Sequence, residues 1–413
     1  MGEHTELDIT MDHRLVQHVE KALGWDGPQP LGTKFAFGHM PDPSLCERLL
    51  NPRKLLSLIL RRSLTHPQLR CLQHGKDLHP TAYLTATTTS RGQRIPVADM
   101  RRLGCLLREG CTLVLDDVGP LDATLELACR ALSWWAGETT RVNAYLTTQD
   151  ASGWGRHWDS HDVLCVQLAG EKSWEVRGAA RPAPMERDAA PNLEPSTEPV
   201  WSGTMRAGDV MHIPRGWWHQ ATRTGKGGGF SLHATFGLTR RTGVDWLAWV
   251  ADQARADELF RRDLDQHSTP DDRDAQQREL AAAAARLVQT LCPSDYLTTR
   301  ERECPSGRQV ATFGVFGPPD AVTCVTDFPP QLETHDGKTI ILAAGKKITV
   351  PTEALPALRP LLSGQPADIH EITTATSVDA AALADALIAE GICTEVTPDL
   401  AEGYAGMLTH GRR

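Results

Sequence analysis

The sequence predicts a mainly β fold with α-helices: a strand-rich core, then a helical region and a small C-terminal module. Two observations predict the core. From about residue 95 onward, short strand-like stretches accumulate, and Gly, Pro and Asp separate them as turn residues. Strands this short and closely spaced are typical of a barrel or a sandwich. A third observation, the length of 413 residues, allows two or three units that each bury a core.

Six strands and one helix are predicted in the core. The strands are 111–118, 141–148, 162–170, 172–176, 209–214 and 229–238. The stretch LAGE at 168–171 is predicted to be a hairpin turn between the third and fourth strands. A helix is predicted over 121–137, where apolar residues recur at helical spacing. Residues 178–200 are rich in Pro, Ala and Glu, which predicts a long surface loop.

The chain divides into four predicted units. Residues 1–94 are an α/β segment that completes the barrel, and 95–240 are the core itself. Residues 241–292 are helical: a helical pattern over 244–267 precedes a second helix, which begins with an N-cap and a proline at Thr269-Pro270. In 293–413, a hairpin at TIILAAGKKITVP precedes two short helices, an order that resembles a winged helix.

Charge excludes some partners. The net charge of −9 argues against nonspecific binding to nucleic acid and favours basic partners such as cationic peptides. Within 310–400, twelve Asp and Glu outnumber four Lys and Arg. The C-terminal unit is therefore expected to be structural or to contact protein, and not to bind DNA.

The cysteines and the apolar runs favour a reduced, cytoplasmic protein. The ten cysteines include no C-x-x-C pair, which argues against a zinc ribbon and against the disulfide framework of a secreted protein. No apolar run approaches the roughly 18 to 20 residues needed to span a bilayer. The acidic, polar start of the sequence is unlike a signal peptide.

The stretch RHWDSHD at 156–162 offers the first candidate metal ligands. In an extended segment, residues two apart point to the same side. His157 and Asp159 therefore present an imidazole and a carboxylate to one space, while Trp158 faces away. Such a pair is common, and on its own it is more often the polar entrance of a strand than a metal site.

A second segment, GDVMHIPRGWWH at 208–219, strengthens the metal hypothesis. Its spacing of glycine, proline, glycine and histidine matches the second cupin motif, whose histidine (His219 here) points into the barrel. Two imidazoles and one carboxylate form the facial triad that binds Fe(II), with positions open for a chelating co-substrate and O2. A structural zinc site would instead close its fourth position, usually with sulfur, and no cysteine adjoins these histidines in the sequence.

Two other histidines compete for the role of ligand. His161 follows His157 by four residues, but the segment lacks the glutamate of H-E-x-x-H metalloproteases and leads into a strand. We expect His161 to lie beside the ligands or to face the substrate. His212 lies within a predicted strand and is expected to be a satisfied core histidine or a support for the ligands.

Polar residues on neighbouring strands predict a receptor for a carboxylate. Lys172 would ordinarily be a solvated residue at a strand end. Asn143 and Tyr145 are two apart on one strand and therefore share a face. A buried cation with an amide and a phenol would suit a distal carboxylate. The strand 231–235 adds a further polar row, which is unfavourable in an inert core.

Taken in order, these segments resemble the JmjC-type cupins, and most of all the ribosomal oxygenase branch. The resemblance rests on EGCTLVLDDV, NAYLT, HWD, LAGEKSW, GDVMHIPRGWWH and SLHATFGL. It implies a double-stranded β-helix core, a helical dimerisation region and an acidic, winged-helix-like C-terminal domain. It also implies Fe(II)- and 2-oxoglutarate-dependent hydroxylation, with O2, of arginine or histidine in ribosomal proteins.

The resemblance also implies roles for individual residues. It implies that iron is bound by His157, Asp159 and His219. It implies that the far carboxylate of 2-oxoglutarate is bound by Lys172, with help from Tyr145, Asn143 and Thr148. Three tryptophans near the expected mouth are candidates to line a peptide groove, with ordinary packing as an equal alternative: Trp154, Trp217 and Trp218.

The substrate stays open at this point. Where the family has a proline-containing run and Gln-Gly before the first ligand, this chain has TTQDASGWGRHWD. The segment 178–200 is also particular to this chain. The substrate is a ribosomal protein, a biosynthetic precursor peptide or a small molecule. Two readings outside this activity are a metal cupin that does not use 2-oxoglutarate and a catalytically silent scaffold that binds a protein partner.

The helical region predicts a homodimer. It carries more large apolar side chains than a lone solvated helix would: Trp246, Leu247, Trp249, Val250 and Leu259. These side chains either cap the barrel or bury a subunit interface, and we expect the interface.

Overall fold

A computed structural model describes residues 9, 11–179, 181–185, 194–308, 310 and 314–409 of the chain. Helices and strands alternate at first, and strands dominate from residue 140 to 238. In chain order the elements are α1 (Arg14–Leu23), β1 (Ala36–His39), α2 (Ser44–Leu49), α3 (Pro52–Leu60), β2 (Leu69–Gln73), β3 (Lys76–Asp77), β4 (Leu84–Thr88), β5 (Arg94–Ala98), α4 (Met100–Glu109), β6 (Thr112–Leu115), α5 (Ala123–Ala136), β7 (Thr140–Thr148), β8 (Asp162–Ala179), β9 (Pro195–Arg206), β10 (Asp209–Ile213), β11 (Trp218–Thr222) and β12 (Phe230–Leu238).

Ten of these strands form one large antiparallel sheet, which confirms the mainly β class. The main path runs β1-β10-β8-β12-β7-β6-β2-β3, and β9 and β11 pair with the second half of β8. Because β1 and β2 come from the first 94 residues, the N-terminal segment contributes strands to both ends of the core. No helix in the described ranges is both long and apolar enough to cross a membrane. All ten cysteines are free thiols.

Strand β8 corrects the predicted hairpin at LAGE. It runs without interruption for 18 residues, from Asp162 to Ala179. Gly170 adopts a left-handed conformation (φ 63°), and a Cβ there would overlap the carbonyl oxygen of Phe230. The register between β8 and β12 shifts close by, at Leu232 and His233. Glycine thus allows a bulge in a continuous strand, where its sequence context resembles a turn.

Side chains of β7 alternate between the apolar core on one face and the cavity of the candidate site on the other. Val142, Ala144 and Leu146 are buried in the main apolar cluster. Asn143 and Tyr145 lie on the opposite face, as the sequence predicts. The helix that precedes this strand, α5, is confirmed: the Asp122 side chain accepts the Leu125 N–H at its start, and it ends at Gly137.

The segment 178–200 is shorter as a loop than predicted. Strand β8 continues to Ala179 and β9 already begins at Pro195, because the two strands pair antiparallel along most of their length. Residues 180 and 186–193 of the predicted loop lie outside the described residues.

The remaining elements form the helical region and the C-terminal unit. They are α6 (Gly243–Gln253), α7 (Glu258–Arg261), α8 (Pro270–Thr290), α9 (Pro293–Glu303), β13 (Ala321–Cys324), β14 (Gln331–His335), β15 (Lys338–Ala343), β16 (Lys346–Pro351), α10 (Leu355–Leu361), β17 (Ala367–Asp368), α11 (Ile369–Thr376), α12 (Ala380–Ala389), β18 (Cys393–Glu395) and α13 (Pro398–Tyr404). The predicted helix start at Thr269-Pro270 and the hairpin β15–β16 are both present. The helical pattern over 244–267 is divided into α6 and α7, because Asp257 is extended between them.

Candidate metal and co-substrate site

The three candidate ligands come together where the segment before β8, which carries His157 and Asp159, meets His219 on β11. His157 and His219 face each other across two backbone hydrogen bonds, of 3.1 and 2.8 Å. Their ring centroids are 4.4 Å apart, and Asp159 Oδ2 lies 3.4 Å from His219 Nε2. One ligand atom from each of the three residues lies within 4.8 Å of the other two. The placement of His157, Asp159 and His219 therefore agrees with the predicted cluster.

Both imidazoles are oriented by the backbone. His157 Nδ1 lies 2.9 Å from the Gly155 carbonyl oxygen, and His219 Nδ1 lies 3.2 Å from that of Trp217. A proton on each Nδ1 leaves Nε2 with a free lone pair, as a metal ligand requires. Burial lowers the pKa of His219 to about 4, so the ring is neutral at neutral pH.

Asp162 fastens the two ligand-bearing segments to each other. Its side chain is fully buried, and Oδ1 accepts the Arg215 backbone N–H at 2.8 Å. Gly216 N–H donates to the Asp159 carbonyl oxygen at 2.9 Å. The turn that precedes His219 is therefore held against the segment that carries Asp159.

The cluster opens into a central cavity of about 630 Å³, which is lined by residues of β2, β6, β7, β8, β11 and β12 and of the loop before β8. Asn143 and Tyr145 both line it. Tyr145 stacks on His233, with ring centroids 4.7 Å apart and planes 3° from parallel. Burial raises the pKa of Tyr145, so the phenol stays protonated and can donate a hydrogen bond.

Lys172 is a lysine buried in the wall of this cavity. The residue is 2% exposed, and its Nζ donates to Thr147 Oγ1 at 3.1 Å. Within the described ranges, no carboxylate forms an ion pair with it, and the one titratable neighbour that acts on it is the Cys165 thiol. Burial lowers the pKa of Lys172 to about 8. The alternative of a solvated lysine at a strand end is therefore wrong.

Thr148 does not reach the cavity. Its Oγ1 lies within hydrogen-bonding distance of the backbone N and O of Cys111, at 3.2 and 3.4 Å. The preceding residue, Thr147, shares the inward face with Asn143 and Tyr145 and contacts Lys172. Alternation along the strand therefore places Thr147, and not Thr148, beside Lys172.

The other histidines and the tryptophans occupy different surroundings. His212 is fully buried, with Nδ1 2.9 Å from the Lys34 carbonyl oxygen, as expected for a satisfied core residue. His161 lies outside the ligand cluster, in a neighbouring pocket that also contacts Asp159. Trp154 lines the central cavity. Trp217 lines a separate pocket, and Trp218 lines none of the described pockets.

Arg70 and Asp116 are among the cavity residues that the sequence did not predict. Arg70 on β2 and Asp116 after β6 form an ion pair of 2.6 Å in the cavity wall. They are 46 positions apart in different segments, so no local motif marks them.

A family model for the JmjC domain matches residues 127–245, the range that contains the ligand cluster and Lys172. Residues 127–245 are a JmjC domain. The predicted resemblance to JmjC-type cupins is thereby confirmed.

Curated relatives that match the chain include a ribosomal oxygenase and a bifunctional demethylase and hydroxylase. The chain is 30% identical to ribosomal oxygenase 1 of Bos taurus over 205 residues, 47% of this chain and 30% of that protein. It is 28% identical to the bifunctional lysine-specific demethylase and histidyl-hydroxylase NO66 of Caenorhabditis elegans over 178 residues, 41% of this chain and 23% of that protein. The chain thus spans less than a third of the length of these relatives.

A solved structure shares the fold over most of the chain. The ribosomal oxygenase YcfD of Escherichia coli superposes with a TM-score of 0.50 at 15% identity and covers 88% of this chain and 95% of its own. A structure of YcfD in complex with cobalt and 2-oxoglutarate gives a TM-score of 0.51 at 13% identity, over 88% of this chain and 95% of its own. At these identities the likeness shows only that the two proteins share a fold.

Proposed function

We propose that the chain is an Fe(II)- and 2-oxoglutarate-dependent oxygenase that hydroxylates a side chain in a protein or peptide. The observation that carries the proposal is Lys172. This buried ammonium has no carboxylate partner in the described chain and faces the same cavity as the His-Asp-His cluster. An unpaired buried charge is costly, so the cavity suits a ligand that brings a negative charge.

The donor set fits Fe(II). Two neutral imidazoles and one carboxylate bind this ion in oxygenases and leave positions open. No cysteine is among the described residues that line the cavity, so the thiolates typical of a structural zinc site are missing there. His157, Asp159 and His219 would hold the metal.

The opposite wall fits 2-oxoglutarate. Lys172 and Thr147 would bind its far carboxylate, and the protonated Tyr145 would donate a further hydrogen bond. Asn143 accepts the Asp117 N–H through Oδ1 at 2.8 Å, which fixes its amide beside Tyr145. Cobalt and 2-oxoglutarate are bound by the structurally similar YcfD, which supports the same pair here.

Once bound, the metal and 2-oxoglutarate would supply the oxidising chemistry, the activation of O2 coupled to the conversion of 2-oxoglutarate into succinate and CO2. The chain's own residues orient the reactants and exclude water. Lys172 orients the co-substrate. Trp174 and His233 pack edge to face, with ring centroids 5.3 Å apart, and close the cavity wall around the co-substrate. Holding the substrate side chain in reach of the metal is then the chain's contribution to rate.

The favoured substrate is an arginine or histidine side chain of a ribosomal protein. The relatives named ribosomal oxygenase and histidyl-hydroxylase support this choice, and the net charge of −9 favours a basic partner. A biosynthetic precursor peptide or a small molecule is the alternative. A silent scaffold has no physical need for a buried, unpaired lysine beside three converging ligands, which disfavours that third class.

Deletion of the gene is expected to remove a hydroxylation from the cell's own proteins. Proteome mass spectrometry with and without the gene should show peptides that lose about 16 Da, one oxygen atom, at arginine or histidine. Re-expression of the wild type should restore the mass, and an Asp159→Ala variant should not. If methyl-lysine accumulates in the deletion strain instead, the reaction is a demethylation and the hydroxylase proposal is wrong.

We also propose that residues 241–292 form a dimerisation region and that the acidic, winged-helix-like unit 293–413 contacts protein. Trp246 and Trp249 pack within their own chain: Trp246 Nε1 donates to the Leu291 carbonyl oxygen, and Trp249 contacts Tyr296. Other apolar side chains of the region are exposed, including Leu247 at 50% and Leu264 at 74%. Helix α8 buries only Ala283 among its 21 described residues. A partner subunit would cover these surfaces.

Light scattering at micromolar concentration is expected to give twice the chain mass of 45.2 kDa. Replacing Leu247 with aspartate should shift the protein toward the monomer, because a charge would be placed in the apolar contact. Leu60→Asp is the matched control, since Leu60 is 61% exposed but lies on α3, far along the chain from α6. A monomeric wild type would exclude the proposed dimer.

A further inference from the structure

We propose that Asp116 determines which side chains the site accepts: its carboxylate accepts a hydrogen bond from a planar, N–H-bearing substrate side chain of the imidazole or guanidinium class. The inference rests on the proposed function and deepens it, because it assigns the group that recognises the side chain to be oxidised.

Asp116 and Arg70 form part of the wall of the central cavity. A single contact joins them, in which Arg70 Nη2 donates to Asp116 Oδ2 at 2.6 Å. The two side chains keep 21% (Arg70) and 26% (Asp116) of their surfaces exposed. The pair is therefore open on the cavity side, unlike an ion pair enclosed in the core.

The pair leaves hydrogen-bonding capacity unused. Asp116 Oδ1 and Arg70 Nε are buried, and neither has a hydrogen-bond partner in the described part of the chain. A carboxylate offers about four acceptor sites, and one is used here. Such atoms cost free energy unless something pairs with them, and in a ligand cavity the ligand is the natural partner. The terminal torsion of aspartate is soft, so a small rotation of the carboxylate presents Oδ1 to the cavity.

Aromatic rings beside the pair favour a flat side chain. The Arg70 guanidinium carbon lies 4.5 Å from the ring centroid of Trp154. Trp154 in turn meets Tyr145 edge to face at 6.1 Å and His157 at 6.2 Å. Trp154 therefore connects the Arg70–Asp116 pair with the metal ligands. A planar group against these rings would be within reach of both.

The other charges of the cavity have other roles. Arg156 pairs with Glu175 at 2.8 Å, and Asp159 belongs to the ligand cluster. Lys172 would pair with the co-substrate. Burial raises the pKa of Asp116, but the Arg70 guanidinium counteracts this and favours the ionised carboxylate. Asp116 is thus the carboxylate of the cavity wall that is available to a substrate N–H.

The test compares Asp116→Asn with Asp117→Asn in the full chain. In Asp116→Asn the amide oxygen stays on Arg70, so an NH2 donor replaces the acceptor Oδ1 without a change of shape. Asp117 is the matched control, because it adjoins Asp116 but pairs with Arg141 and does not line the central cavity. The probes are the N-acetyl methylamides of histidine, arginine and leucine, observed by saturation-transfer NMR and by the relaxation that Mn(II) imposes on their protons.

We expect the wild type to bind the histidine or the arginine probe more tightly than the leucine probe, close to Mn(II). Asp116→Asn should weaken that binding about tenfold, the loss of one charge-assisted hydrogen bond, while Asp117→Asn changes it less than about twofold. The stronger of the two probes identifies the side-chain class.

Three results would overturn the inference. In the first, the wild type binds the leucine probe as tightly as the other two, or binds none of the three. In the second, Asp116→Asn binds the probes as tightly as the wild type. In the third, Asp116→Asn loses 2-oxoglutarate binding, which would show a structural role. Failure of the proposed function is a separate result: the wild type would not bind 2-oxoglutarate. The saturation-transfer comparison is made on the protein without metal or co-substrate, and only the relaxation measurement uses the Mn(II)-loaded protein. It therefore still decides the role of Asp116.

Discussion

Replacing Lys172 with methionine is expected to abolish 2-oxoglutarate binding and, at the same time, to stabilise the ligand-free protein. Binding is lost because the distal carboxylate loses its buried counter-charge. Stability rises because the buried ammonium no longer has to be desolvated. The fall in the pKa of Lys172 from 10.5 to about 8 corresponds to about 3 kcal/mol. Calorimetric titration of the Mn(II)-loaded protein and denaturant melts of the ligand-free protein measure the two effects.

The stability difference should depend on pH in one direction. Between pH 8 and pH 10.5 the unfolded wild type binds more protons than the folded protein, so its stability rises with pH relative to the variant. The advantage of Lys172→Met is therefore fully present below pH 8 and disappears toward pH 10.5. Burial lowers the pKa of nearby His233 and raises that of Cys165 to about 12, so neither changes its charge in this window.

Lys226→Met is the control for this experiment, since Lys226 lies in the loop between β11 and β12, donates to Thr204 and faces Glu171. This variant should retain 2-oxoglutarate binding. If Lys172→Met still bound 2-oxoglutarate, Lys172 would not be the group that holds its far carboxylate. A wild type that binds the metal but no 2-oxoglutarate would instead be a metal cupin of another kind.

Replacing Asp159 with alanine is expected to remove metal binding and consumption of 2-oxoglutarate together. One of three ligands is lost, and removal of mere supporting partners of a metal site already costs roughly 10- to 100-fold in affinity. We therefore expect a loss of at least about 100-fold in Mn(II) affinity, measured by electron paramagnetic resonance of the free ion.

His161→Ala is the matched control for the ligand variant, because His161 lies two residues after Asp159 but outside the cluster. It should bind Mn(II) within a few-fold of the wild type. Equal losses in both variants would indicate general damage to the segment, and no loss in Asp159→Ala would exclude Asp159 as a ligand.

Much of the site follows from the sequence because its parts are local. His157 and Asp159 need only the two-residue alternation of an extended segment, and His219 needs only the turn made by Pro214 and Gly216. Alternation also places Asn143 and Tyr145 together. The same rule places Thr147, and not Thr148, on the face that carries Asn143 and Tyr145.

Other features depend on partners that are distant in sequence. Gly170 resembles a turn residue, and only the close approach of Phe230 on β12 shows that it marks a bulge in a long strand. The Arg70–Asp116 pair arises because β2 and β6 are neighbours in the sheet. That pairing is a property of the topology, and no local pattern encodes it.

A crystal grown with Mn(II) and 2-oxoglutarate would show both halves of the site together. We expect one metal ion bound by His157, Asp159 and His219, with the far carboxylate of 2-oxoglutarate against the Lys172 ammonium and the Thr147 hydroxyl. A metal bound elsewhere, or 2-oxoglutarate seated away from Lys172, would contradict it.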